Sequence, residues 1–265
     1  MTLLSSTSNK HVKDFKALQE KSRFRKSELR FTVEGVREMS IALKAGYHLE
    51  KLFVQPELND LTSIEFPKAY PYEHFEVDPK VYQHMAYRAS TEGIVGVFKQ
   101  KKHDPQHGDI TSDKNLLVLV LENIEKPGNL GAIFRTADAA KVDIVCLANC
   151  STDLYNPNCI RSSLGCCLSV PSIAGSNEEI RDWLHTHNVR SYAATLQNSN
   201  PYFQEDFKTS TAFVMGSEAN GLSSFWRDNS SASIVIPMQG LIDSMNVSVA
   251  TAILTFEALR QRNAR

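Results

Sequence analysis

Apolar and polar positions change their rhythm partway along the chain. In the first part Val12, Phe15 and Leu18, with Gln19 beside them, recur at helical spacing within residues 8–26, and Lys, Arg and Ser crowd the last turn, so a helix is predicted there. Short strands are predicted at 31–33, 49–54, 75–77 and 94–98, and helices at 36–45, closed by Gly46, and at 79–86. Together they form a small α/β unit that closes near Gln100. Residues 101–113, KKHDPQHGDITSD, are polar with Pro and Gly and read as a linker. Domains of residues 1–105 and 106–265 are therefore expected.

The second part alternates more cleanly. Residues 116–121 are a continuous apolar run of the kind that buried parallel strands show. Further strands are predicted at 143–148, 168–173, 190–195 and 211–215, and helices at 129–140, 157–164, 178–186 and 222–227. The chain then ends in a strand at 233–237, stopped by Pro237, a loop at 238–243 carrying Gly240, and a long helix that Ser244 would cap. That helix is apolar on two stripes: Met245, Val249, Ala252, Phe256 and Leu259 on one, and Val247, Ala250 and Leu254 on the other. A surface helix needs one such stripe, so cover on two sides is expected, by its own sheet and by a second body such as another copy of the chain. Strand–helix alternation predicts an α/β fold with a parallel sheet covered on both faces. Ligands then bind off the carboxyl ends of the strands, which points to 123–129, 196–200, 216–220 and 237–246.

Composition narrows the class. The chain has 265 residues, 42% apolar and 22% charged, which is ordinary for a soluble protein of one or two domains. No apolar run is long enough to cross a bilayer, and Lys10 and Lys13 stand where a secretory signal would be apolar, so a cytoplasmic protein without membrane contact is expected. The five cysteines, Cys146, Cys150, Cys159, Cys166 and Cys167, form no CxxC pair and read as free buried thiols. His103 and His107 lie in the linker without further ligand candidates, so no metal is expected. Residues 1–105 hold 17 Lys and Arg against 14 Asp and Glu, and the remainder 12 against 16. The basic excess is densest at 10–30, a pattern shared by nucleic-acid-binding segments and by ordinary solvated helix faces.

Several chemistries are excluded. No G-x-G-x-x-G follows the first strand of the second part, and no G-x-x-x-x-G-K-[ST] occurs. MGSEANG lacks the G-x-S-x-G elbow and the four loops contain no histidine, which argues against a Ser–His hydrolase. The loops do offer Asn129, Arg135, Glu218, Ser244 and Asn246. Each has a plain structural reading as well: Arg135 as a surface residue or partner of Asp138, Glu218 as a carboxylate near a helix start, Ser244 as a cap.

Taken together, NIEKPGNLGAIFRTADA (123–139), FVMGSEANGLS (213–223) and IPMQGLIDSMNVSVATAILTFEA (236–258) resemble, in order, the three motifs of the SpoU-type RNA ribose 2'-O-methyltransferases of the SPOUT superfamily. The likeness covers 115–262, and Ser8-Asn9 with Val12-Lys13, Phe31-x-Val33-Glu34-Gly35 and Thr91-x-Gly93-Ile94 resemble the family's N-terminal RNA-binding domain, a small α/β fold akin to certain ribosomal proteins. The resemblance implies a C-terminal trefoil knot, S-adenosylmethionine as cofactor, a homodimer, and RNA as substrate. It carries the catalytic set onto Asn129, Arg135, Glu218, Ser244 and Asn246, and the cofactor contacts onto Leu196, Gly216, Ile236, Met238 and Met245, the last being leucine in the usual motif. Ribosomal RNA is favoured over tRNA, because the N-terminal domain resembles the extension of rRNA-directed and antibiotic-resistance members. The alternatives are a tRNA methyltransferase, an RNA-binding protein of the same fold without activity, and a small-molecule methyltransferase.

Overall fold

The computed structural model of the chain describes residues 2–59, 61–66, 71–87, 92–105 and 115–263. Thr91, His107 and most of the expected linker lie outside the described residues. Contacts divide the chain into two units, one of residues 1–102 with 153–169 and one of 103–152 with 170–265.

The first unit holds β1 (Thr2–Leu4), α1 (Lys10–Glu20), α2 (Ser22–Glu28), β2 (Arg30–Glu34), α3 (Val36–Lys44), β3 (Leu49–Val54), β4 (Glu73–Val77), α4 (Pro79–Met85) and β5 (Ile94–Lys99). Its sheet runs β1-β4-β3-β5-β2, with β5 antiparallel to both of its neighbours. The helix expected across 8–26 is broken at Lys21, whose extended backbone ends α1 and starts α2. Arg25 explains the break. It folds back to donate to the freed carbonyls of Leu18 and Gln19 at 2.7 and 3.1 Å, and pairs with Asp153 at 2.7 Å. A residue counted among the basic surface is thus one of the most buried side chains of the unit, at 2% exposed.

The second unit begins with β6 (Leu117–Glu122), α5 (Pro127–Ala139) and β7 (Ile144–Ala148). The chain then enters α6 (Pro157–Ser162) and α7 (Cys166–Ser169), which group with the first unit although the pattern placed them in the second. Tyr155 shows why: its ring lies 4.5 Å from Phe31, and its hydroxyl donates to the Lys101 carbonyl at 3.2 Å. Back in the second unit follow β8 (Ser172–Gly175), α8 (Asn177–Thr186), β9 (Arg190–Ala194), β10 (Asn200–Pro201), β11 (Thr211–Met215), α9 (Ser224–Asn229), β12 (Ala232–Val235) and α10 (Val247–Asn263). The strand expected at 168–173 starts only after Pro171, which has no N–H to give a ladder.

Seven strands form one parallel sheet in the order β10-β12-β9-β11-β6-β7-β8. Both faces are covered. Val118, Val120, Ile144, Cys146, Ala212 and Val214 pack with Ile180, Trp183 and Leu184 of α8 and Trp226 of α9. The residues between them point the other way, toward α5 and α10. The core side of α10 is Val247, Thr251, Leu254, Thr255 and Ala258, whereas Val249 and Phe256 are 51% and 49% exposed. The buried threonines satisfy themselves, donating to Val247 O at 2.7 Å and Thr251 O at 2.6 Å.

Arg262 fastens the last turn of α10. Its guanidinium donates to the carbonyls of Phe207, Asn115, Leu116 and Thr209 at 2.6–3.0 Å. Removing it leaves those acceptors short of a charged donor, so Arg262→Ala is expected to cost about 2 kcal/mol of stability, read by denaturant unfolding. Among the described residues no helix is long and apolar enough to cross a membrane.

Candidate active site

The strand order reverses between β6 and β11. From β6 the chain moves outward through β7 to β8, then returns to build β9, β11 and β12 on the other side. An open α/β sheet presents its binding crevice at such a reversal, off the carboxyl ends of the strands. Here the two loops at that point follow Glu122 and Met215.

The loop after β6 turns sharply at Asn123, whose φ is 50°, and Pro127 then sets the first turn of α5. Asn129 therefore sits in the first turns of α5, facing the neighbouring loop. The loop after β11 is folded tightly on itself. Ser217 and Gly221 exchange backbone hydrogen bonds at 3.1 and 2.9 Å, and the Ser217 hydroxyl accepts from Asn220 N at 3.1 Å. Gly216 passes so close to this turn that a Cβ there would meet Gly221 C at 2.2 Å.

Three of the five expected catalytic residues are joined. Asn129 donates from Nδ2 to Glu218 Oε1, and Asn246 donates from Nδ2 to Asn129 Oδ1 at 3.1 Å. The other oxygen of Glu218 is buried and has no hydrogen-bond partner among the described residues. Asn246 also caps α10: its side-chain oxygen accepts from Ser248 N at 2.9 Å, and its carbonyl from Val249 N and Ala250 N at 3.0 Å. The helix thus starts at Val247, two residues later than a Ser244 cap would start it, and Ser244 is not its cap. Ser244 is exposed in the preceding loop. Arg135 stands on α5, exposed and without a hydrogen bond or ion pair among the described residues, so the expected alternative of a bridge to Asp138 is not made. The structure brings neither Arg135 nor Ser244 into the hydrogen-bonded chain.

The expected cofactor contacts lie on the loops after three successive strands of the sheet. Leu196 follows β9 and is 57% exposed, Gly216 follows β11, and Ile236, Met238 and Met245, all half-buried, follow β12. Backbone N–H groups of residues 236–245 make no backbone hydrogen bond among the described residues. Free main-chain donors and acceptors beside half-covered apolar side chains suit an adenine edge and ring, so these residues fit the nucleoside of S-adenosylmethionine.

Other groups here escape a reading of pattern alone. Thr152 donates from its hydroxyl to the Ile124 carbonyl, and the Cys150 thiol does so at 3.5 Å, bracing the loop that leads to α5. Burial pushes the Cys150 thiol up, against hydrogen bonds with Thr152 and Ile124 that pull it down, which disfavours the thiolate. None of the five cysteines is in a disulfide; Cys146, Cys159 and Cys167 are buried, while Cys150 and Cys166 are only half so. Glu122, a buried carboxylate at the end of β6, ends an apolar run and carries no motif signal.

Comparison with known proteins agrees with this geometry. Residues 116–256 match the SpoU rRNA Methylase family, and residues 9–96 match the MRM3-like substrate binding domain. The chain is 28% identical to the 23S rRNA (guanosine(2553)-2'-O)-methyltransferase RlmP of Bacillus subtilis, over 97% of this chain and 98% of that protein. The crystal structure of an AdoMet-bound rRNA methyltransferase from Sinorhizobium meliloti superposes with a TM-score of 0.89, at 28% identity, covering 100% of this chain and 99% of the other. AviRb from Streptomyces viridochromogenes, a SpoU methyltransferase solved with AdoMet, gives 0.84 at 25% identity, covering 97% and 100%. With its family match spanning more than half its length, the chain belongs to the SpoU rRNA methylase family.

Proposed function

We propose that the protein transfers a methyl group from S-adenosylmethionine to a ribose 2'-OH of ribosomal RNA. The observation that carries this reading is the Asn246–Asn129–Glu218 chain, which joins all three sequence motifs at the reversal point of the sheet, with Arg135 exposed on the same helix as Asn129. The RNA class follows the relatives, which are named as 23S rRNA methyltransferases.

When bound, S-adenosylmethionine supplies a methyl group on a positively charged sulfur. The protein must then orient the ribose oxygen and stabilise it as its proton leaves. A guanidinium is a reluctant base, so Arg135 stabilises the developing alkoxide and grips the adjacent phosphate, while the proton passes to solvent or phosphate. Asn129 and Asn246 place the ribose. Glu218 fixes Asn129, because its carboxylate accepts from the Asn129 amide and not from Arg135. Ser244, exposed in the loop before α10, helps to orient the sugar. Leu196, Gly216, Ile236, Met238 and Met245 hold the nucleoside.

Residues 1–105 serve RNA binding and 106–265 the chemistry, a division in keeping with the two family matches. The half-exposed Val249 and Phe256, one helical stripe of α10, support a homodimer. A C-terminal trefoil knot is supported by the return of the chain from β12, three places from β6 in the sheet, to join Asn246 to Asn129. Incubation with labelled S-adenosylmethionine and ribosomal RNA from cells lacking the gene should give label in alkali-resistant dinucleotides. No transfer, together with no cofactor binding by calorimetry, would sink the reading. Sedimentation tests the dimer, which a single species of monomer mass would exclude.

A further inference from the structure

Glu122 is 5% exposed and meets no cation among the described residues. Three donors serve it instead. Asn177 Nδ2 and Ser223 Oγ donate to Oε1 at 2.7 and 2.6 Å, and Ser223 N–H donates to Oε2 at 2.8 Å. Asn177 in turn accepts from Trp226 Nε1 at 3.0 Å. A buried carboxylate is expensive unless fully satisfied, and an apolar side chain of similar size would serve a core at least as well. What Glu122 does that an apolar residue could not is grip Ser223.

Ser223 closes the loop that carries Glu218. Between Gly216 and Gly221 that loop is rigid, because Gly216 touches the far side of the turn and Ser217 pairs with Gly221. It therefore moves as one clip, held by β11 at one end and by Ser223 at the other. Glu122 anchors that second end. The same strand end leads, seven positions on, to Asn129, the residue that Glu218 must meet. Both partners of the Asn129–Glu218 hydrogen bond are thus referred to one point, the end of β6. We infer that Glu122 is a positioning residue for methyl transfer, holding the Glu218 clip in register with Asn129. This rests on the assignment of Asn129 and Glu218 to the site.

Glu122→Gln keeps the volume but turns an amide N–H toward a donor at Ser223. With labelled S-adenosylmethionine and ribosomal RNA from cells lacking the gene, kcat should fall at least about tenfold while KM for RNA stays near the wild-type value. The deciding measurement is a cycle with Glu218→Gln. If Glu122 acts through Glu218, adding Glu122→Gln to Glu218→Gln lowers kcat no further. Losses that multiply would make Glu122 a general structural group and overturn the inference, as would an unchanged kcat in Glu122→Gln alone. Should Glu122→Gln fail to fold by circular dichroism, Ser223→Ala, which removes one of the three donors, takes its place in the cycle: no further loss supports the inference, and multiplied losses overturn it. A Glu218→Gln enzyme with wild-type turnover would instead bring down the site assignment itself.

Discussion

Arg135→Ala lowers kcat by roughly a hundred- to a thousandfold and leaves stability within about 0.5 kcal/mol of wild type. The two halves of this result have separate causes. Arg135 is exposed on α5 and makes no hydrogen bond or ion pair among the described residues, so its loss removes nothing from the fold. An exposed cationic side chain on the helix that carries Asn129 is available to an incoming anion, and in the proposed reaction that anion is the ribose oxygen and its phosphate. Removing a donor aimed at developing charge costs far more in turnover than in ground-state affinity. Arg135→Lys should recover only a minor part, because an ammonium lacks the planar fork with which a guanidinium holds two oxygens side by side. Single-turnover transfer of labelled methyl, run beside a thermal melt, reads both halves. A variant with normal turnover would remove Arg135 from the chemistry.

Gly216→Ala should abolish cofactor binding measurable by calorimetry and cost about 1–3 kcal/mol of stability. The added Cβ would lie 2.2, 2.4 and 2.5 Å from Gly221 C, Leu222 N and Gly221 O, all of them backbone atoms that cannot step aside like a side chain. The turn must open, and with it the bonds between Ser217 and Gly221 and the reach of Glu218 to Asn129. A Gly216→Ala protein that binds cofactor as wild type does would take the loop after β11 out of the cofactor site.

Much of the architecture is legible from local pattern, because parallel strands buried on both faces leave unbroken apolar runs. The strands Leu49–Val54 and Thr211–Met215 fall where the pattern puts them. The failures share a different cause, which is that the deciding partner is distant in sequence. Lys21 breaks a helix of good periodicity because Arg25 is needed by carbonyls behind it and by Asp153. Three residues of β1 carry no rhythm of their own and exist only against β4. Motif spacing singles out Asn129, Glu218 and Asn246, which the structure links, but the order of their hydrogen bonds could not be read from it. Ser244 looked like the helix cap by residue type, whereas the cap is Asn246, two positions on. Glu122 was invisible, since a lone carboxylate after six apolar residues resembles any strand end.

Asn246 spends its two side-chain atoms in different places: the oxygen starts a helix and the nitrogen reaches Asn129. Aspartate and serine cap helices as well as asparagine does, and neither carries that amide nitrogen. A library screened for heat resistance would therefore accept them at this position without any visible penalty. The resulting enzymes would melt normally and still have lost the link between the third motif and the first, so stability selection is blind to this residue.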